Sequence, residues 1–233
     1  MRQIFLDTET TGLSPETGDR IIEIGCIEMV NRRLTGTHKH FYLNPERRNS
    51  EDALKIHGLT DEFLADKPLF GQVADELLEY LSGAEILIHN ADFDVGFLNE
   101  ELRRLGRPAF QRFVAKVTDS LPMAREMYPG KSNSLDALCR RLEVDNTSRT
   151  MHGALLDAGL LAEVYIRMTR GQNSLVMEAI DGGGGIVLAE IDFSAFVLPV
   201  LRASDEETMA HEALLVELDK ACGGRVLWRT ALA

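Results

Sequence analysis

The chain opens on short apolar runs closed by turn residues, then changes to runs whose apolar positions recur at helical spacing. Gln3 to Leu6 reads as a first strand and Arg20 to Met29 as a second, parted by a loop that Pro15, Gly18 and Asp19 punctuate. His38 to Leu43 alternates as a third strand and Asn44-Pro45 ends it, so close spacing of the three predicts an antiparallel meander. Glu51 to His57 predicts a short helix closed by Gly58, and Thr60-Asp61-Glu62 a capped start for the next segment. Gly71 to Leu81 carries Val73, Leu77, Leu78 and Leu81 on one helical face. Strand Glu85 to His89 and helix Ala91 to Leu105 follow, then strand Val114 to Asp119 and helix Ser120 to Met127, which Pro129-Gly130 stops. Ser132-Asn133-Ser134 caps a helix from Leu135 to Leu142, and Ala154 to Thr169 forms a long last helix. A meander followed by strand-helix units predicts an α/β domain over residues 1–170, a mixed five-stranded sheet with flanking helices.

Past residue 170 the pattern breaks. Residues 171–203 hold the apolar pairs of Gln172 to Met177 and the linker Asp181-Gly182-Gly183-Gly184-Gly185. In residues 204–233, Ser204-Asp205-Glu206-Glu207 caps a helix through Lys220, and Gly223-Gly224 ends it. A lone helix beside Leu227 and Trp228 cannot build a core, which predicts a tethered docking segment.

Composition narrows the classes. At 233 residues and 45% hydrophobic, the chain can bury one substantial core and leave an appendage. No apolar run approaches the roughly 18 residues of a membrane span and no signal peptide is legible, so a soluble cytoplasmic protein is expected. Cys26, Cys139 and Cys222 are odd in number and far apart, which argues against a disulfide framework or a thiolate metal site and for small buried or semi-buried residues. A net charge of -12 argues against holding nucleic acid by bulk electrostatics; if the substrate is nucleic acid, metal ions or a partner must hold it in place.

The candidate chemistry is carboxylate. Asp7 and Glu9 are two apart at a strand end and so share a face, and hard oxygen ligands at that spacing suit magnesium or manganese rather than zinc. Asp94 follows His89-Asn90 at the first turn of a helix, on the sheet edge where ligands gather in open α/β folds. Alone it would merely complement the helix dipole, an effect of about 0.3–1 kcal/mol. Asp157 falls in the second turn of the last helix and His152 just before its start, within reach of the same pocket.

The order Asp7-x-Glu9, Asn90-x-x-Phe93-Asp94, His152-x-x-x-x-Asp157 resembles the DEDD exonuclease superfamily, in the branch whose final motif holds His. More narrowly, Ile21-Ile22-Glu23-Ile24-Gly25, His57-Gly58-Leu59, Lys116-Val117-Thr118-Asp119-Ser120-Leu121 and Asn133-Ser134-Leu135-Asp136-Ala137-Leu138 resemble the epsilon family, the proofreading exonucleases of bacterial DNA polymerase III. The resemblance implies a ribonuclease H-like fold and two-metal hydrolysis of mismatched 3′-terminal nucleotides to nucleoside 5′-monophosphates with Mg²⁺ or Mn²⁺. It makes Asp7 the bridging ligand, places Glu9 and Asp157 where water is activated, gives Asp94 a part in the second metal's water shell, and makes His152 the general base. It further implies that Thr8, Thr11, Leu13, His57, Asn90 and Phe93 hold the terminal nucleotide of a DNA primer, with Leu13 as a wedge. Gln172, Leu175 and Met177 resemble a short sliding-clamp motif, and the segment with Leu227 and Trp228 resembles the tail that binds the polymerase's alpha subunit. A non-catalytic stabilising subunit and a free-standing single-strand DNA or RNA exonuclease are the competing readings.

Overall fold

A computed structural model describes residues 2–147, 151–170 and 203–223 and divides the chain into two units, Met1–Met177 and Glu178–Ala233. The first unit is built on a five-stranded sheet of order β3-β2-β1-β4-β5. Strands β1 (Arg2–Thr10), β2 (Ile21–Val30) and β3 (Arg33–Tyr42) form an antiparallel meander, and β4 (Glu85–Ile88) and β5 (Lys116–Asp119) add to β1 in parallel. The mixed sheet expected from the sequence is therefore the one observed.

Two strands are longer than their apolar runs. β1 continues from Leu6 to Thr10, so Asp7 and Glu9 lie inside a paired strand instead of at its end. β3 starts at Arg33 instead of His38, because Asn31 and Arg32 both adopt positive φ and close a two-residue hairpin. Its first six residues are exposed at the sheet edge, which is why they lack an apolar pattern. β5, in turn, begins at Lys116 instead of Val114.

Several helices begin where a hydroxyl or carboxylate caps them. Ser50 accepts from Ala53 N ahead of α1 (Glu51–His57), and Thr60 from Phe63 N ahead of α2 (Asp61–Leu64). α3 (Phe70–Leu81) and α4 (Ala91–Arg104) cover one face of the sheet, where Ile4, Leu6, Ile24 and Ile86 meet Leu77, Phe97 and Leu98. α5 (Ser120–Met127) is capped by Asp119 and α6 (Leu135–Leu142) by Ser134. α7 (Ala154–Met168) covers the opposite face, packing Ala158, Leu161 and Ala162 on Phe5, Met29 and Leu87. Cys26 and Cys139 are buried in these layers; Cys222 is exposed, not semi-buried.

Two contacts fix the layers against the site. Gly25, opposite Asp7 in the ladder, lies against the start of α7: a Cβ there would overlap the Ala154 carbonyl and the Leu155 nitrogen. Only a glycine lets the helix come so close to β2. On the other face Arg20 forms a two-bond ion pair with buried Glu101, Nε–Oε1 2.7 Å and Nη2–Oε2 2.8 Å, joining the start of β2 to α4.

In the second unit the described residues form α8 (Asp205–Ala221), with a reciprocal capping box between Ser204 and Glu207. Met209, Leu214, Val216 and Leu218 are exposed along it. Among the described residues no helix is long and apolar enough to cross a membrane.

Candidate active site

Strand alternation sorts the carboxylates before any loop is considered. Phe5 faces α7, so Asp7 and Glu9 face the same way, whereas Ile4, Leu6 and Thr8 face α4. From the α7 side come Asp157, in the first turn rather than the second, and His152 just before the helix. From the α4 side comes Asp94, also in a first turn. Asp7, Glu9, Asp94, His152 and Asp157 together line a cleft of ≈ 230 Å³, with Thr8, Asn90 and Phe93 on its walls.

The donor set is oxygen-rich. Atoms of Glu9, His152 and Asp157 all lie within 4.8 Å of one another, and His152 Nδ1 is 3.3 Å from Asp157 Oδ2. Glu9, Asp94 and Asp157 are each buried. Buried carboxylates crowded with this little separation repel one another unless positive charge joins them. Such ligands fit a hard divalent cation.

Asp94 shows what burial alone costs a carboxylate here. Burial pushes its carboxyl up to about 7, although the Thr8 hydroxyl donates to Oδ1 at 2.7 Å and favours the ionised form. Thr8 therefore braces a carboxylate with its side chain. Thr11 is fully buried and does not line the cleft: its hydroxyl lies 3.1 Å from Asp19 Oδ1 and accepts from Arg20 N, which shapes the loop that carries Leu13.

A second hollow, ≈ 480 Å³, opens beside the first and shares Thr8, Glu9 and Phe93 with it. Leu13 lines it and is 85% exposed, so it has no part in the core. Phe93 is half-buried and stacks at a tilt on Phe97, 5.0 Å between centroids. His57 closes the far wall, where burial pushes its imidazole down and Glu23 opposes the shift. Its Nδ1 accepts from Leu59 N at 3.0 Å, so Nε2 carries the proton, and that buried donor has no partner among the described residues. Ser50, Asp52, Ala53 and Ile56 line the same hollow. Their only sequence signal was the capped helix on which they lie.

Asn90 sits at the junction of β4 and α4 in a left-handed conformation, φ 71° and ψ 58°. Asp119 enforces it, taking Asn90 N and Ala91 N on its two oxygens at 3.0 and 3.1 Å. This brace was not anticipated as part of the site, although Asp119 stands in the Lys116 to Leu121 motif. Gln172, Leu175, Met177, Leu227 and Trp228 lie outside the described residues.

Comparison with known proteins agrees with this geometry. A family model described as "Exonuclease" matches residues 4–165. The DNA polymerase III subunit epsilon of Escherichia coli (strain K12) is 52% identical, covering 98% of this chain and 97% of the relative. The subunit of the same name from Rickettsia felis is 55% identical over 94% of this chain and 98% of its own length. Among solved structures, the nuclease domain of 3′hExo, a DEDDh family member bound to rAMP, superposes with a TM-score of 0.63 at 20% identity, covering 72% of this chain and 92% of that one. Exonuclease X in complex with 5′ overhanging duplex DNA gives 0.57 at 24%, covering 72% and 91%. These last two likenesses are of fold.

Proposed function

The chain belongs to the exonuclease family of DNA polymerase III epsilon subunits, and from that premise we propose that it is the 3′–5′ proofreading exonuclease of a replicative DNA polymerase. Its reaction is hydrolysis of the terminal phosphodiester of a primer strand, releasing a nucleoside 5′-monophosphate. The observation that carries the reading is the convergence of four carboxylates and His152 on one cleft from both faces of the sheet.

Asp7, Glu9, Asp94 and Asp157 would hold two divalent ions, Mg²⁺ or Mn²⁺. When bound, the ions supply positive charge that acidifies water and offsets charge on the phosphate and the departing 3′-oxygen. The protein's own part is orientation and proton transfer. With Nδ1 turned to Asp157, His152 takes the water's proton at Nε2 as general base. Thr8 fixes Asp94 by its hydroxyl bond. Leu13 and Phe93 stack against the terminal nucleoside, His57 donates to it from Nε2, and Asn90 presents its amide to the same nucleotide. A frayed, mismatched end reaches such a site more readily than a paired one.

Beyond residue 170 we assign Gln172, Leu175 and Met177 to the sliding clamp and the segment with Leu227 and Trp228 to the polymerase's alpha subunit. The exposed apolar residues of α8 support docking there. The test is digestion of a 3′-mismatched DNA primer and the matching RNA with magnesium: rapid release of 5′-monophosphates from the DNA is expected, and preference for RNA or no release overturns the reading.

A further inference from the structure

On the side of the cleft away from the nucleoside hollow lies a third hollow of ≈ 550 Å³, lined by His89, Asn90, Leu121, Arg125, Gly130, Lys131, Asn133 and Ser134. It shares His89 and Asn90 with the catalytic cleft and no residue with the nucleoside hollow, so the three run in sequence with the cleft in the middle. Its lining includes no carboxylate, whereas the catalytic cleft and the nucleoside hollow each hold several. In a chain of net charge -12 its two cations stand out.

The walls are fixed and the cations are not consumed. His89 Nε2 donates to the Asn133 carbonyl at 2.8 Å, and its Nδ1 lies 2.8 Å from Ser120 Oγ. Burial pushes its pKa down, which keeps the ring a neutral strut. Asn133, buried, donates to the carbonyls of Tyr128 and Lys131, and Gly130 takes φ 70° to turn the loop outward. Arg141 braces the back of the loop through Asn133 Oδ1 and the Ser132 carbonyl and lies over the Tyr128 ring. Arg125 and Lys131 are exposed, and among the described residues neither forms an ion pair.

We propose that this groove is a second binding site, for the phosphates of the strand 5′ to the scissile bond, with Arg125 and Lys131 as its phosphate ligands. The assignment rests on the exonuclease reading for its direction: the terminal nucleoside in the apolar hollow, the reacting phosphate in the cleft and the incoming backbone in the groove. Two point charges on a polar wall match successive phosphates and read no sequence, as a proofreader requires.

The test compares the full-length chain with R125E/K131E and with R125K/K131R. Hydrolysis is followed on a single-stranded octanucleotide and on the p-nitrophenyl ester of thymidine 5′-phosphate, which has one phosphodiester and no upstream strand. Octanucleotide binding is read by fluorescence anisotropy with calcium in place of magnesium. For R125E/K131E the ester should turn over at the wild-type rate, while Kd and KM for the octanucleotide rise at least about tenfold and the salt slope of log Kd flattens by about 1.4, two phosphates at ~0.7 each. R125K/K131R should keep the wild-type slope. An unchanged octanucleotide Kd and slope overturns the groove, and so does equal loss on both substrates, which would place the two cations at the reacting phosphate. A wild-type chain that binds the strand through the groove without cleaving it would instead sink the exonuclease reading and leave the groove standing.

Discussion

Asp94 is the side chain whose chemistry depends most on what fills the cleft. Its folded carboxyl lies at about 7 against an ordinary 3.8, so the metal-free fold binds a proton there that the unfolded chain has lost. The stabilising proton is fully present below about pH 4 and lost as the pH rises through about 7, and metal-free stability should fall across that window. Asp94→Asn keeps an acceptor for Thr8 and removes the titration. The melting temperature of wild type minus that of Asp94→Asn should drop from pH 4 to 7 in EDTA, and saturating magnesium should abolish the drop; a flat difference in EDTA would refute the assignment. In the proposed mechanism His152 contributes proton transfer instead of charge balance. His152→Ala should lower single-turnover cleavage by roughly 10² to 10⁴ with primer affinity little changed. Cleavage at the wild-type rate would remove it as base. Residue types and order made these five positions legible in the sequence. The inward turn of Thr11 was not, because its partners, Asp19 and Arg20, lie across a loop whose shape no local pattern encodes.

At the scale of elements, boundaries were legible wherever a cap is chemical. α1, α5 and α6 start and stop as read, because Ser50, Asp119 and Ser134 each satisfy a helix N–H and Gly58 closes α1 in the left-handed region. The start of β3 and the far end of β1 escaped, since pairing on a neighbouring strand makes them strands whatever their polarity. How close α7 approaches β2 was equally hidden, although it sets where Asp157 stands. Gly25→Ala must push back the start of α7, and a shift of about 1 Å there should lower kcat ~100-fold. Metal affinity by calorimetry should fall with it; normal kcat would show that the helix start does not position the site. The Arg20–Glu101 pair tests the opposite face. Glu101→Ala leaves a mostly buried guanidinium without its partner and should destabilise by about 3 kcal/mol or more in urea unfolding. A change under 1 kcal/mol would mean that water replaces Glu101 at little cost.

The whole molecule has to solve a problem its charge creates. At -12 it is repelled by the strand it must grip, and residues 171–233 carry ten acidic and four basic residues, so the tail adds to the repulsion. A tail of this composition does not serve DNA directly. The proposed docking on something that already holds the primer resolves this, and α8 has the form for it: a capped, dipole-matched helix with Met209, Leu214, Val216 and Leu218 exposed. On the proposed reading, tethering raises the local concentration of primer ends, to about the millimolar range for a short tether, without any new contact. The catalytic unit, by contrast, contains every residue of the cleft within Met1–Met177. A chain ending at Arg170 should therefore cleave free single strands at the full-length rate and no longer co-purify with the polymerase subunit. Trp228→Ala in the full chain should weaken that complex by about 2 kcal/mol or more, as a large buried aromatic anchor would. Titration against the polymerase subunit separates the possibilities: undiminished binding by the shortened chain places the contact on the catalytic unit, and loss of single-strand cleavage in the shortened chain would show that the tail completes the active site.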